Sequence, residues 1–268
     1  MDERKQPGVR DSDRKSVHER IFALKVKDLR VSYDELMVID GVDLQVEYGE
    51  TVAVLGPSGC GKTTLLKALL NLVPYSGEVV LNVDRAGYMP QRDTLFEWMN
   101  CLDNVALPLF LNGTNRQQAR RMAMEYLKKV QLEEWASRWV HELSGGMRQR
   151  VSLARALVTG AKFLLMDEPF SSVDAQTRRS LQLLFSDLVV KEGITVLLVT
   201  HSVEEAVFLA DRIVLLSQRP AKVRKIFNVE LKKPRTIEVL AEPLYQELVS
   251  LIYQEIFSSP VRSPQKQL

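Results

Sequence analysis

The sequence predicts an α/β fold: a mostly parallel sheet, an antiparallel β subdomain at its N-terminal end, and a helical subdomain inserted between sheet strands. Three observations carry this reading. From residue 51 onward short β-rich runs alternate with long helical stretches, the order that builds parallel sheets flanked by helices. Ahead of them, ALKVKDLRVSY alternates apolar and polar residues, as a half-buried strand does. The stretch from about 95 to 155 reads as mostly helical, between two of the β-rich runs.

Residues 1–20 carry six basic and five acidic side chains with little apolar content, which predicts a flexible, solvated arm. Order is expected to begin near Ile21. Asp40-Gly41 is a turn signal, and Val42 to Val46 reads as a further strand. Thr51–Leu55, Lys162–Met166, Ile194–Val199 and Arg212–Leu216 are short β-rich runs, read as strands of the largely parallel sheet. Helices are predicted over Lys62–Leu70, Arg116–Val130, Gly146–Val158, Asp174–Val190 and Val203–Ala210. In the second, Ala119, Met122, Tyr126 and Val130 recur at helical spacing and predict its core face. After Leu216 the chain turns basic (SQRPAKVRKIF), then ends in a predicted helix, Pro243 to Phe257, and a polar tail. The expected organisation is an arm (1–20), a main domain (21–217, with its helical subdomain at about 95–155) and a C-terminal extension (218–268).

Composition removes several classes. With 46% hydrophobic and 26% charged residues, the chain is neither mostly disordered nor fibrous. Lys and Arg number 36 against 34 Asp and Glu, too even a balance for nucleic acid as the main partner. Two cysteines, Cys60 and Cys101, cannot form a disulfide framework, so a reducing cytoplasm is expected. No apolar run approaches the roughly 18 residues that span a bilayer. The N-terminus is charged where an export signal would be apolar.

Gly56-Pro57-Ser58-Gly59-Cys60-Gly61-Lys62-Thr63-Thr64 follows the strand TVAVL and opens the helix TLLKALL. That is a phosphate-binding loop in its proper context, and it makes the sheet a P-loop NTPase core. Its glycines let backbone N–H groups turn inward around an oligophosphate, and the helix N-terminus adds positive potential. Lys62 can reach the β- and γ-phosphates, and the Thr63 hydroxyl suits Mg²⁺. The strand FLLMDE ends in two adjacent carboxylates, at the sheet edge where open α/β sheets bind ligands. Asp167 is the expected Mg²⁺ holder and Glu168 the expected base. Ser144-Gly145-Gly146 opens another helix and makes a second anion-binding terminus. A chain with one nucleotide site has no obvious need of two, unless the second serves a nucleotide held by another copy.

LSGGMRQR and FLLMDEP, in that order behind GPSGCGKTT, resemble the ATP-binding subunit of ATP-binding-cassette (ABC) transporters over roughly residues 21–217. The resemblance implies ATP and Mg²⁺ as ligands and a head-to-tail, ATP-dependent homodimer in which Ser144 to Gly146 of one copy close over ATP on the other. It assigns Tyr33 to adenine, Gln91 to Mg²⁺ and the membrane partner, Asp174 to the loop after the carboxylates, and His201 to the γ-phosphate. From the residues alone, each has a plainer alternative: Tyr33 as an ordinary strand aromatic and Gln91 as a surface amide near a turn. His18 and His141 have no such context: the first is read as disordered, the second as structural. Two departures are mild. Ser202 follows the histidine where Asp is usual, yet Ser202 to Glu205 still forms a capping box. SSVD replaces the commoner SALD. Neither removes a functional group, so a competent ATPase is expected.

The apolar stretch after Gln91 (Phe96, Trp98 and Met99, then VALPL) suits a groove for a short helix of an integral-membrane permease, unless those side chains simply pack inside. With LSGGMRQR and the SQRP segment, it gives a looser resemblance to importers of the nitrate, sulfonate and taurine type, a branch that includes thiamine-precursor importers. That implies a permease and, indirectly, a solute-binding protein, at the cytoplasmic face of the membrane. An ABC ATPase gating a cell-wall or division complex would look nearly identical. A DNA-repair ATPase would carry a long coiled coil or zinc module between phosphate loop and LSGG.

Overall fold

The computed structural model describes residues 22–258; the N-terminal arm, with His18, and the polar tail lie outside the described residues. Strands β1 (Phe22–Tyr33) and β2 (Leu36–Glu47) form a long antiparallel hairpin. Its turn falls at Asp34-Glu35, where Asp34 has φ 52°, and not at Asp40-Gly41. Arg30 pairs with Asp40 and Leu29 with Val42, so Gly41 (φ 73°) is the extra residue of a bulge. Val42 to Val46 is therefore the second half of β2, not a separate strand.

Next come β3 (Thr51–Leu55), α1 (Lys62–Leu69), β4 (Ser76–Leu81) and β5 (Ala86–Met89), followed by the helices α2 (Cys101–Leu111), α3 (Arg116–Lys129) and α4 (Gly145–Leu157). The chain then alternates through β6 (Phe163–Asp167), α5 (Ala175–Glu192), β7 (Thr195–Thr200), α6 (Val203–Leu209) and β8 (Arg212–Leu216), and closes with β9 (Val223–Asn228) and α7 (Pro243–Phe257). Two sheets result, ordered β2-β1-β4 and β5-β6-β7-β3-β8-β9. The second is parallel throughout except for β8 with β9. Every residue of β3, β6 and β7 is buried, which explains their unbroken apolar runs.

The six-stranded sheet separates two apolar clusters. One holds α1 and the antiparallel sheet against one face; the other holds α2–α7 against the opposite face. On α3 the core face differs from the expected one by a rotation of the helix. Ala119, Ala123, Leu127 and Val130 are buried, whereas Met122 is exposed and Tyr126 packs only partly against the cluster. Small Ala119 and Ala123 let α3 approach α2, a role that a search for large apolar residues passes over. His141 is exposed in a short helical turn, not part of the core.

Candidate active site

The parallel register brings the carboxyl ends of β3, β6 and β7 together: Leu55 pairs with Thr200, and Asp167 with Val199. Each strand end delivers part of one site. Beyond β3, the loop 56–61 turns into α1 through Gly61, whose φ of 122° is closed to other residues. A Cβ there would also sit 3.0 Å from Val38 Cγ1. No side chain caps α1, so its first N–H groups remain for an anion. Lys62 is 5% exposed; its Nζ donates to the carbonyls of Gly56 (2.9 Å) and Pro57 (3.1 Å).

Thr63 Oγ1 donates to Asp167 Oδ1 at 3.2 Å, so the last residue of β6 and the first turn of α1 are joined. Burial pushes the Asp167 carboxyl above its ordinary range, partly opposed by the Thr63 hydrogen bond. Glu168 adopts φ 45°, a conformation a non-glycine residue holds only when its surroundings impose it. Here its N–H donates to Val199 O at 2.9 Å and its carbonyl accepts from Ser171 Oγ at 2.8 Å. The turn aims the Glu168 carboxylate at three groups from three elements. Lys62 Nζ lies 3.6 Å from Oε1, His201 Nδ1 lies 3.0 Å from Oε2, and Gln91 Nε2 lies 3.3 Å from Oε2. A cavity of about 310 Å³, lined by Ser58, Gly59, Lys62, Thr63, Thr64 and Glu168 among others, opens above them.

The remaining expected residues lie elsewhere in the chain. Ser144 caps α4, accepting from Met147 N at 3.3 Å, and with Gly146 borders a different cavity of about 560 Å³ beside Trp135 and Arg150. Asp174 caps α5, accepting from the N–H groups of Gln176 and Thr177; its hydrogen bonds, led by the Thr177 side chain, hold its carboxyl below the usual range. Tyr33 stands half-exposed beside the hairpin turn, opposite Leu36. Cys60 is buried within the phosphate loop, and burial raises its thiol pKa; burial pushes Cys101 to about 11. Arg219, which the sequence offers only as part of SQRP, lines the phosphate cavity and donates to Gly59 O at 2.7 Å. Nothing in a one-dimensional pattern signals that contact.

A phosphate loop, a strand-end carboxylate pair and a polar cleft at the carboxyl edge of a parallel sheet define a P-loop nucleoside-triphosphate hydrolase. The sequence model of the ABC transporter family matches residues 39–171. An uncharacterised ABC transporter ATP-binding protein of Methanocaldococcus jannaschii is 37% identical over 95% of this chain and 98% of its own length. The taurine import ATP-binding protein TauB of Escherichia coli O157:H7 is 44% identical over 75% of this chain and 82% of that protein. Among solved structures, a dimeric bacterial ABC transporter cassette superposes with a TM-score of 0.69 at 28% identity, over 78% of this chain and all of that one. The same cassette in a post-hydrolysis state bound to ADP and Pi gives 0.67. The chain belongs to the ABC transporter ATP-binding family, and it is an ATPase.

Proposed function

We propose that this ATPase energises uptake of a small solute, of the nitrate, sulfonate, taurine or thiamine-precursor class, through a separate membrane permease. The likeness to a taurine import protein supports an importer. The hydrolytic reading rests on one observation: Lys62, Gln91 and His201 converge on the carboxylate of Glu168.

In this reading the loop 56–64 wraps the triphosphate. Glu168 takes a proton from water as the water oxygen bonds to the γ-phosphorus and the bond from that phosphorus to the β-bridging oxygen breaks, releasing ADP. His201 orients the Glu168 carboxylate and the γ-phosphate, and the Lys62 ammonium balances charge on the transferring group. Thr63, Asp167 and Gln91 would hold Mg²⁺. Their oxygen donors suit that hard cation, and no group of three or more His, Cys, Asp or Glu among the described residues forms a metal site by itself, which fits an ion shared with phosphate oxygens. When bound, the ion draws charge from the β- and γ-oxygens. Tyr33 supplies a ring for adenine.

Ser144 and Gly146 border their own cavity, which supports a head-to-tail homodimer in which Ser144, Gly145 and Gly146 close over ATP on the other copy, with Asp174 in the adjoining loop. Binding energy for ATP that exists only in the closed dimer is what drives a partner. Docking on the permease falls to the groove of about 600 Å³ lined by Trp98, Met99, Phe110 and Trp139, where Trp98 is 70% exposed. No described helix is long and apolar enough to cross a membrane, consistent with attachment at the cytoplasmic face. A solute-binding protein would act through the permease. Residues 21–217 form the cassette in this reading, with 218–268 as an extension.

The test is Glu168→Gln. The variant is expected to bind MgATP, to lose about 10²–10⁴-fold in kcat, and to accumulate as a dimer by light scattering where the wild type dimerises only transiently. Unchanged hydrolysis by a monomer would remove Glu168 from the chemistry.

A further inference from the structure

Arg219 is the one residue bordering the phosphate cavity that no motif of the sequence accounts for. It sits in the turn between β8 and β9, and that turn is fixed at several points. Ser217 N donates to Lys222 O at 2.9 Å, and Lys222 N donates back to Ser217 Oγ at 3.0 Å. Ala221 N donates to Val38 O at 2.8 Å and Asp40 N to Ala221 O at 3.0 Å, binding the turn to β2. The Lys222 ammonium adds a 2.7 Å ion pair with Asp40. β8 itself runs beside β3, and a Cβ on Gly56 would lie 3.3 Å from Leu216 Cβ. The base of Arg219 is therefore as firmly placed as the phosphate loop.

Its neighbours in this part of the fold, Arg212, Lys222, Arg224, Lys225 and Lys233, are each ion-paired with a carboxylate. Arg219 makes a single hydrogen bond among the described residues, from Nη2 to Gly59 O at the tip of the loop. A guanidinium carries five N–H donors in a planar fork that matches phosphate oxygens. The residue lines the same cavity as Lys62, Gln91 and Glu168.

We propose that Arg219 is a second cationic ligand of the nucleotide, placed in cis beside Lys62 and directed at the terminal phosphate. The inference rests on the triphosphate reading of the cavity given above. Contact at Gly59, together with Gln91 and Glu168 in the same lining, assigns it to the γ end rather than the adenine end. Discrimination between ATP and ADP is then part of its work: the γ-phosphate gains a forked partner that ADP cannot use.

The experiment is calorimetric binding of MgATP and MgADP to the full-length chain, for wild type, Arg219→Ala, Arg219→Lys and Lys62→Ala, with circular dichroism to confirm folding. For Arg219→Ala, ATP affinity is expected to fall about tenfold, with ADP affinity changed less than twofold. Arg219→Lys should recover part of the ATP affinity through its charge, without the fork. An unchanged ATP affinity in Arg219→Ala, or equal losses for ATP and ADP, would overturn the assignment; the second outcome reduces Arg219 to a prop for the loop. A wild type that binds no ATP, or a Lys62→Ala variant that binds it undiminished, would instead bring down the triphosphate reading itself.

Discussion

Glu205 lies four residues beyond His201, and the sequence assigns it to a capping box. Half of that box forms: Ser202 Oγ accepts from Glu205 N at 3.2 Å. The Glu205 side chain does not reach back to Ser202. It turns inward, 4% exposed, with Gln182 Nε2 3.5 Å from Oε2 and Oε1 without a hydrogen-bond partner. Burial raises its pKa to about 7 from 4.5, opposed by Thr200, Arg178 and His201. The folded carboxyl thus keeps its proton where the unfolded one has lost it. Stability from this group is complete below about pH 4.5 and is lost as pH rises toward 7. Glu205→Gln, neutral throughout, should match wild type near pH 4.5 and exceed it above pH 7 by about 1–3 kcal/mol. Thermal melts of both proteins from pH 4.5 to 8.5 measure this, and a pH-independent difference would refute it. At this scale the site was largely legible. Asp167 ends an apolar strand, Glu168 and His201 directly follow one, and Lys62 and Thr63 open the helix after the glycine-rich loop, so each stands in sequence beside the element that positions it. Arg219 was not legible as part of it, because it meets Gly59 across 160 positions of sequence.

Among the elements, the strands buried on both faces announce themselves and the edge strands do not. β5 has four residues and includes Gly87; β4 pairs with β1 alone; β9 is basic and lies on the outer edge. Helix α2 carries Pro108 in its interior, which hides it from a search for uninterrupted helical periodicity. The contact between α4 and α5 is just as silent in sequence. Gly146 is buried, and a Cβ there would meet Thr177 Cγ2 at 2.3 Å. Turning the Thr177 side chain aside would disturb its hydrogen bond to Asp174, the residue that caps α5. Gly146→Ala should therefore cost about 1–3 kcal/mol by overpacking and should reduce ATP hydrolysis by tilting the Ser144 end of α4. Adding Thr177→Ser removes the clashing methyl and keeps the hydroxyl, so the double variant should recover most of the stability. Chemical denaturation of the two single variants and the double closes the cycle. No recovery would mean that the contact with the Thr177 methyl is not what destabilises the Gly146→Ala variant.

For the whole molecule, the question is what the residues after β8 contribute. β9 joins the outer edge of the six-stranded sheet. Arg235 is 2% exposed, and its guanidinium donates to the carbonyls of Phe208 (3.2 Å), Ala210 (2.9 Å) and Leu231, while its N–H donates to Ser186 Oγ at 2.8 Å. A buried cation satisfied by three carbonyls fixes the strap after β9 to the end of α6 and to α5. Beyond it, Tyr245, Leu248 and Ile252 of α7 sit in the same apolar cluster as Phe208 and Val207 of α6. Tyr253 Oη donates to Glu204 Oε1 at 2.9 Å, so α7 lies along the helix that begins just after His201. A shared core of this kind unfolds as one unit. Ile252 is fully buried, and Ile252→Ala should cost about 2–4 kcal/mol through lost transfer energy and the cavity left behind. Calorimetry should then record one cooperative transition at a lower Tm, with MgATP raising the Tm of variant and wild type alike by linkage. If α7 were an appendage, the same substitution would leave the main transition in place and only a separate, smaller one would move.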